Sequence, residues 1–345
     1  MSDYWLLLGA RHFKDKTKSP GGVVTLFEDF IDRASENNIN FKIIDLNKRN
    51  YSNLFVAYIS ILFNALKKIP NSNFVFLHGA SNDYLFIAPI VLIISKLFKK
   101  KFALRKFAGN FDLIYKNSNF IKKTIIRFVV KNSDAAFWET KRLVEFWKQF
   151  NARSCWFPNV RIKNELTRDL NKPFEKKFIY LGQISKEKGV HILLNAKSYL
   201  DETYNISFYG QIKEPLSIND FDNKICFYKG FVSANQVPFI LSQFDVLLLP
   251  SGREEEGYPG VIIEAYMSGV PAIATKIGGI PEIVKDLETG LLAISGNEID
   301  FFNKIKMIDE DLHSILRKNA YDYSQNFDST IVFLQIKKII SNILL

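Results

Sequence analysis

The stretch Glu256-Gly257-Tyr258-Pro259-Gly260-Val261-Ile262-Ile263-Glu264-Ala265, followed by Ser268-Gly269-Val270-Pro271, sets two carboxylates eight positions apart. Gly257, Pro259 and Gly260 break the chain into a loop, and Val261 to Met267 then reads as the start of a buried helix. A helix start offers unpaired backbone N–H groups and the positive end of a dipole, which suits a phosphate. Carboxylates beside a phosphate repel it. Glu256 in the loop and Glu264 inside the helix are therefore better placed to accept hydrogen bonds from hydroxyls. Sugar and ribose hydroxyls are the obvious donors, so the local pattern reads as a nucleotide-sugar site.

Around this stretch the chain alternates short apolar runs with helical patterns, as βαβ units do. The first half predicts strands over Trp5–Leu8, Phe41–Leu46, Phe74–Leu77, Phe102–Phe107, Ala135–Trp138 and Ser154–Phe157. Between them it predicts helices over Val23–Asn37, Leu54–Ile69, Leu85–Leu97, Asn119–Lys131 and Lys141–Phe150. The polar, aperiodic segment Arg161–Lys177, with Pro173, reads as a linker. From Phe178–Leu181 the pattern resumes through Val190–Tyr199, Ile206–Tyr209, Ile225–Tyr228, Val246–Leu249 and Ile273–Thr275. Thr330–Leu345 is apolar on one face and suits a final helix. The expected architecture is α/β: two Rossmann-like domains, residues 1–165 and 166–329, facing one cleft at the carboxyl ends of their strands.

Further motifs flank the central string in order. Tyr180-Leu181-Gly182-Gln183 with Lys188-Gly189, Val232-Ser233, and Phe244-Asp245-Val246-Leu247-Leu248-Leu249-Pro250-Ser251 precede it. Ile273-Ala274-Thr275, Gly278-Gly279-Ile280-Pro281-Glu282-Ile283-Val284 and Thr289-Gly290-Leu291-Leu292 follow. Together they cover nearly all of residues 178–295 and resemble the E-x7-E region of the family 4 retaining glycosyltransferases. The resemblance implies the GT-B fold: an N-terminal acceptor-binding domain, a C-terminal nucleotide-sugar-binding domain, and a last helix, 330–345, crossing back onto the first.

The resemblance also implies roles. Glu256 would contact the donor sugar and stabilise charge at the reacting centre, and Glu264 would bind ribose hydroxyls. Lys188, Gln183 and the amides of Gly21 and Gly22 would hold the diphosphate, with Gly257, Tyr258, Pro259, Gly260 and Val261 completing the donor site. Gly21 and Gly22 follow Pro20 between the first strand and first helix, where glycine lets backbone approach a ligand. The basic segment Lys14 to Lys18 ahead of them suits a loop at the cleft mouth. Gln183 stands where the family usually has arginine; it can donate to a phosphate oxygen but brings no charge. Lys186 or Arg253 are candidates to compensate. His78 ends a predicted strand, while Phe107-Ala108-Gly109-Asn110 lacks the histidine usual in the family after the next one. His78 and Asn110 are thus candidate sugar or acceptor contacts, and a structural role for His78 fits as well.

No metal or cofactor is expected. The histidines (His12, His78, His191, His313) are scattered, and Cys155 and Cys226 fit no metal spacing and read as reduced thiols. Asp220-Phe221-Asp222 matches the D-x-D pattern of metal-dependent transferases, but in a polar connection where three-residue matches arise by chance. The chain reads without a secretory leader, and its longest apolar run, Leu85 to Ile94, carries Pro89 and is too short to span a bilayer. A cytoplasmic protein is expected. Its charge is uneven: residues 1–165 hold 27 Lys and Arg against 13 Asp and Glu, the remainder 19 against 23. On the predicted helix Asn119–Lys131, Lys123, Arg127 and Lys131 recur every four residues, near Lys99-Lys100-Lys101, Arg105-Lys106 and Lys122. That face reads equally as solvated or as resting on an anionic membrane.

The sequence thus points to a retaining, metal-independent hexosyltransferase. It would move a hexose or N-acetylhexosamine from a UDP- or GDP-sugar to a lipid-linked or polysaccharide acceptor, a precursor of a bacterial surface glycan. A nucleotide-sugar epimerase of the same fold is the alternative. A nucleic-acid binder would explain the basic half, but no nucleic-acid motif is present and no such partner is expected.

Overall fold

The computed structural model describes residues 4–13, 21–107, 109–163, 169–221 and 224–345. Pro20, the Lys14 to Lys18 segment, Ala108 and the second aspartate of the D-x-D match, Asp222, lie outside the described residues. The chain divides into two compact units, Met1–Val160 with Ser329–Leu345, and Arg161–Asp328.

The first unit runs β1 (Trp5–Gly9), α1 (Gly22–Glu36), β2 (Phe41–Asp45), α2 (Leu54–Lys68), β3 (Phe74–Gly79), α3 (Asp83–Phe86) and α4 (Ala88–Leu97). It continues through β4 (Lys101–Lys106), α5 (Phe111–Lys116), α6 (Phe120–Asn132), β5 (Ala135–Trp138), α7 (Lys141–Lys148) and β6 (Ser154–Trp156). The strands pair in parallel in the order β2-β1-β3-β4-β5-β6. β1, β3 and β5 are buried along their whole length, as parallel strands covered on both faces must be. One face packs α2, α3, α4, α6 and α7 through residues such as Ile61, Val91, Val129 and Trp147. The other packs α1 and the C-terminal helix Ser329–Leu344, whose Phe333 ring lies 5.2 Å from that of Phe30. The expected single helix over Leu85–Leu97 breaks at Ile87. Pro89 cannot donate to a preceding turn, so it opens a new helix instead of extending one.

The second unit runs β7 (Lys177–Leu181), α8 (Val190–Leu194), β8 (Asn205–Tyr209), β9 (Cys226–Tyr228), α9 (Val237–Leu241) and β10 (Val246–Leu249). Then follow α10 (Gly260–Met267), β11 (Ala272–Thr275), α11 (Ile280–Ile283), β12 (Gly290–Ala293), α12 (Glu298–Lys306) and α13 (Glu310–Tyr323). Its parallel sheet has the order β12-β11-β10-β7-β8-β9, so the direction of winding reverses between β7 and β10. In open α/β sheets that reversal leaves a crevice at the carboxyl ends of the two strands, where ligands bind. The helix expected over Val190–Tyr199 stops at Leu194, with Asn195 at its C-cap and a 3-10 turn, Ala196–Ser198, beyond. Asparagine competes for backbone bonds and ends helices readily.

Candidate active site

The reversal point brings together the segment after β7, residues 182–189, and the segment after β10, residues 250–259. Gly189 joins them. It caps α8 at φ +74°, and a Cβ there would meet the Pro250 carbonyl oxygen at 1.9 Å. Only glycine fits, and the close approach brings Lys188 against the second loop. Lys188 Nζ donates to Glu256 Oε1, which also accepts from Ser251 Oγ at 3.0 Å. The ion pair is mostly covered, its side chains 22% and 12% exposed. Ser251 is itself fixed, its carbonyl accepting from Thr275 Oγ1 at 2.5 Å. The backbone oxygen of Glu256 accepts from Gly279 N at 2.8 Å, so the turn before α11 supports the loop from behind.

Glu264 stands one turn inside α10, and its Oε1 accepts from Arg161 Nε at 2.5 Å. Arg161 also presses on the helix start: a Cβ on Gly260 would lie 1.6 Å from its Nη2. Helices α2, α6, α7, α12 and α13 carry an Asn, Thr or Asp side chain that caps an early amide. α10 has Pro259 at that position and no side-chain cap; Ile262 N donates to the Pro259 carbonyl at 3.0 Å, which leaves the amides of Gly260 and Val261 for another acceptor. A hollow of about 340 Å³ beside it is lined by Gln183, Tyr209, Gly210, Phe231, Val261 and Glu264, among others. Tyr180 donates from its hydroxyl to the Gln183 carbonyl at 2.6 Å. Burial, with the Glu256 charge nearby, holds that phenol well above its ordinary pKa, so it stays a donor.

The residues expected from the sequence therefore fall into groups. Lys188 pairs with Glu256, while Gln183, Val261 and Glu264 share the hollow. Gly257, Pro259 and Gly260 form the half-buried approach to α10. Tyr258 departs from expectation: its side chain is buried, with its hydroxyl donating to Glu282 Oε2 at 2.7 Å. It braces the loop and leaves only backbone for a ligand. Lys186 and Arg253 line a separate hollow with Glu187, Glu254 and Glu255, away from Gln183. Among the described residues no group of His, Cys, Asp or Glu could hold a metal ion. Arg161, Ser251 and Gly279 had no assigned role. Arg161 is 103 residues from its partner, in a stretch read as linker, and no local spacing signals it.

The remaining candidates belong to the first unit. Gly21 caps α1 in an extended conformation, and a Cβ on Gly21 or Gly22 would meet nothing within 4 Å. Among the described residues no atom requires glycine at either position. Asn110 precedes α5 and is half-buried. His78 is not at an accessible strand end, because β3 continues through Gly79. Its ring is 1% exposed among Phe27, Phe30 and Phe76, and burial plus the Arg105 charge holds its pKa well below the ordinary value. A neutral, enclosed imidazole offers nothing to a solvent-side sugar. Beside it at the end of β4, burial lowers Arg105 to about 9 and Lys106 to about 8, with Glu139 partly opposing each shift.

A doubly wound sheet with an uncapped helix start and two cation-bonded carboxylates, Glu256 and Glu264, on the segment that follows its reversal point is the arrangement in which open α/β proteins bind ligands. Residues 163–326 match the family model described as glycosyl transferases group 1. An uncharacterized 41.2 kDa protein of the cps region of Klebsiella pneumoniae is 27% identical over 264 residues, 71% of this chain and 71% of that protein. The capsular polysaccharide biosynthesis glycosyltransferase CapM of Staphylococcus aureus is 26% identical over 194 residues, 52% of this chain and 50% of that one. The Anabaena Alr3699/HepE structure in complex with UDP superposes with a TM-score of 0.73 at 15% identity, covering 98% of this chain and 100% of that one. At that identity the likeness shows the fold, the two-unit GT-B arrangement of parallel sheets. The second unit is thus similar to the group 1 glycosyl transferases, and the chain as a whole has the GT-B fold.

Proposed function

We propose that the chain is a retaining glycosyltransferase that takes a sugar from a nucleoside diphosphate donor and delivers it to a precursor of a bacterial surface glycan. The observation that carries this reading is the Lys188–Glu256 pair at the reversal point, in the loop that leads into the uncapped α10 with Glu264 one turn inside it. Lys188 and the first-turn amides supply positive charge for a leaving diphosphate, the largest electrostatic demand of the reaction. Glu264 is positioned for ribose hydroxyls, with Gln183 in the same hollow. Glu256 faces the sugar, where its carboxylate stabilises positive charge developing at the anomeric carbon. The bond from that carbon to the phosphate oxygen breaks as the acceptor oxygen bonds on the same face. The acceptor proton passes to the departing phosphate. No metal is required, since helix amides and Lys188 do that work. UDP in the Anabaena neighbour favours a uridine donor, and the cps-region and capsular relatives favour a surface-glycan acceptor. The basic first unit takes the acceptor and meets the anionic cytoplasmic face of a membrane.

The test is nucleoside diphosphate release from a panel of UDP- and GDP-sugars in excess chelator, with and without a lipid-linked acceptor fraction. Acceptor-stimulated release with the anomeric configuration kept supports the reading. Inversion, or rescue only by magnesium or manganese, overturns its retaining or metal-free part. Conversion of the donor sugar without acceptor identifies an epimerase instead.

A further inference from the structure

The helices on one face of the first sheet are apolar on the side that should be polar. On α2 the exposed side chains Phe55, Ile59, Phe63 and Leu66 follow the helical period, a stripe opposite the one that packs on the sheet. Leu54 and Val56 widen it. On α3 and α4 Phe86, Ile90, Ile93 and Leu97 form a second outward stripe. Phe120, Ile121 and Phe128 stand outward on α6. These are not scattered: α4 touches both α2 and α6, and the Tyr58 and Phe86 rings bridge α2 to α3 at 6.1 Å. Thirteen of the twenty-six large apolar side chains exposed among the described residues lie on these four helices. Soluble surfaces rarely hold so continuous an apolar area without something to cover it.

Charge says what covers it. α2, α4 and α6 contain no Asp or Glu; Lys96 pairs with Asp134 and Lys68 Nζ donates to the Ile43 carbonyl, which leaves Lys67, Lys122, Lys123, Arg127 and Lys131 to face the surroundings. Lys99, Lys100 and Lys101 follow at the end of α4. Arg127 and Lys131 line a shallow hollow of about 410 Å³ with Thr124, Phe128 and Asn132, room for a phosphate headgroup against a ring. Aromatic and aliphatic side chains on a plane edged by cations match the boundary between acyl chains and anionic headgroups. No helix among the described residues is long and apolar enough to cross a membrane, so such contact is one-sided.

We infer that the face formed by α2, α3, α4 and α6 inserts its apolar side chains into an anionic bilayer, with the flanking lysines and arginines on the headgroups. This rests on the membrane contact proposed above and goes further: that contact needs only charge, whereas this one needs hydrocarbon. The two separate by salt, because about 0.5 M NaCl screens exposed charges to within a few ångströms and leaves apolar burial intact.

Full-length protein would be floated with phosphatidylcholine vesicles with or without phosphatidylglycerol, in low salt and in about 0.5 M NaCl. The variant Phe55→Ser/Phe63→Ser/Leu97→Ser changes only exposed side chains, and its thermal unfolding shows whether the fold is kept. The inference expects a salt-resistant fraction bound to anionic vesicles that this variant loses by at least about tenfold. Lys123→Ala/Arg127→Ala/Lys131→Ala should mainly weaken the low-salt binding. Binding that salt abolishes and the apolar variant leaves unchanged overturns insertion and keeps the charge-driven contact. No binding at any salt overturns both. A wild-type dimer that the apolar variant turns into monomer, with vesicle binding unchanged, assigns the face to a second copy and overturns the inference.

Discussion

Replacing Glu256 by glutamine separates chemistry from architecture. The carboxylate is 12% exposed and accepts from Lys188 Nζ and Ser251 Oγ. A glutamine oxygen keeps one acceptor in place, so what is lost is the charge in the bond to Lys188. Hydrogen bonds to charged groups contribute about 1.5–3 kcal/mol net and neutral ones about 0.5–1.5, a difference of about 1–2 kcal/mol. For a unit the length of Arg161–Asp328 this lowers the melting temperature by roughly 2–8 °C. The barrier should rise more, since the lost charge faces the carbon where positive charge develops: about 10²–10³ in kcat. Donor KM should move little, because the ground-state sugar is neutral. Calorimetric melting and steady-state kinetics on the same preparation read both quantities. A folded Glu256→Gln enzyme with wild-type kcat would refute the assignment, as would a kcat loss no larger than that of Glu264→Gln.

Glu264→Gln should instead raise donor KM by about tenfold with kcat nearly kept, because ribose hydroxyls carry the same charge throughout the reaction; the same kinetics check it. Gly189→Ala forces a side chain into φ +74° and against the Pro250 carbonyl, so the melting temperature should fall by several degrees, and an unchanged value would contradict the close approach. Lys106 gives a pH signature. Its folded pKa of about 8 lies below the ordinary 10.5, so between these values the unfolded chain binds more protons and stability rises with pH. Lys106→Met should flatten that rise in urea unfolding measured across this window; parallel profiles would contradict it.

The strands were legible because buried parallel strands are unbroken apolar runs with sharp polar ends; Val246–Leu249 and Ala135–Trp138 keep their predicted limits. α13 was missed because its buried face includes His313 and Arg317, polar residues that hide the apolar period. Their partners are met only in the fold, where His313 Nε2 lies 3.1 Å from the Asp245 carbonyl oxygen. β12, with Gly290 at its head, has too short an apolar run to stand out. At the candidate site, the proposed roles of Lys188, Glu256 and Glu264 come from the resemblance of the whole motif string to the family 4 transferases, since a loop lysine or two glutamates eight apart carry no such signal by themselves. Arg161 was not legible, since only the fold brings it to Glu264. The buried settings of His78 and Tyr258 were equally invisible, because sequence gives a strand end or a loop but not the direction of a side chain.

The central claim is that the reversal point of the second unit binds a nucleoside diphosphate through Lys188, the start of α10 and Glu264. Calorimetric titration of UDP and GDP into the full-length chain, in excess chelator, tests it most directly. The account predicts saturable binding of one of them, weakened by Glu264→Gln through the ribose and by Lys188→Met through the diphosphate, while the nucleoside alone loses affinity only with Glu264→Gln. Absence of binding to either nucleotide, or affinity indifferent to both substitutions, would contradict it.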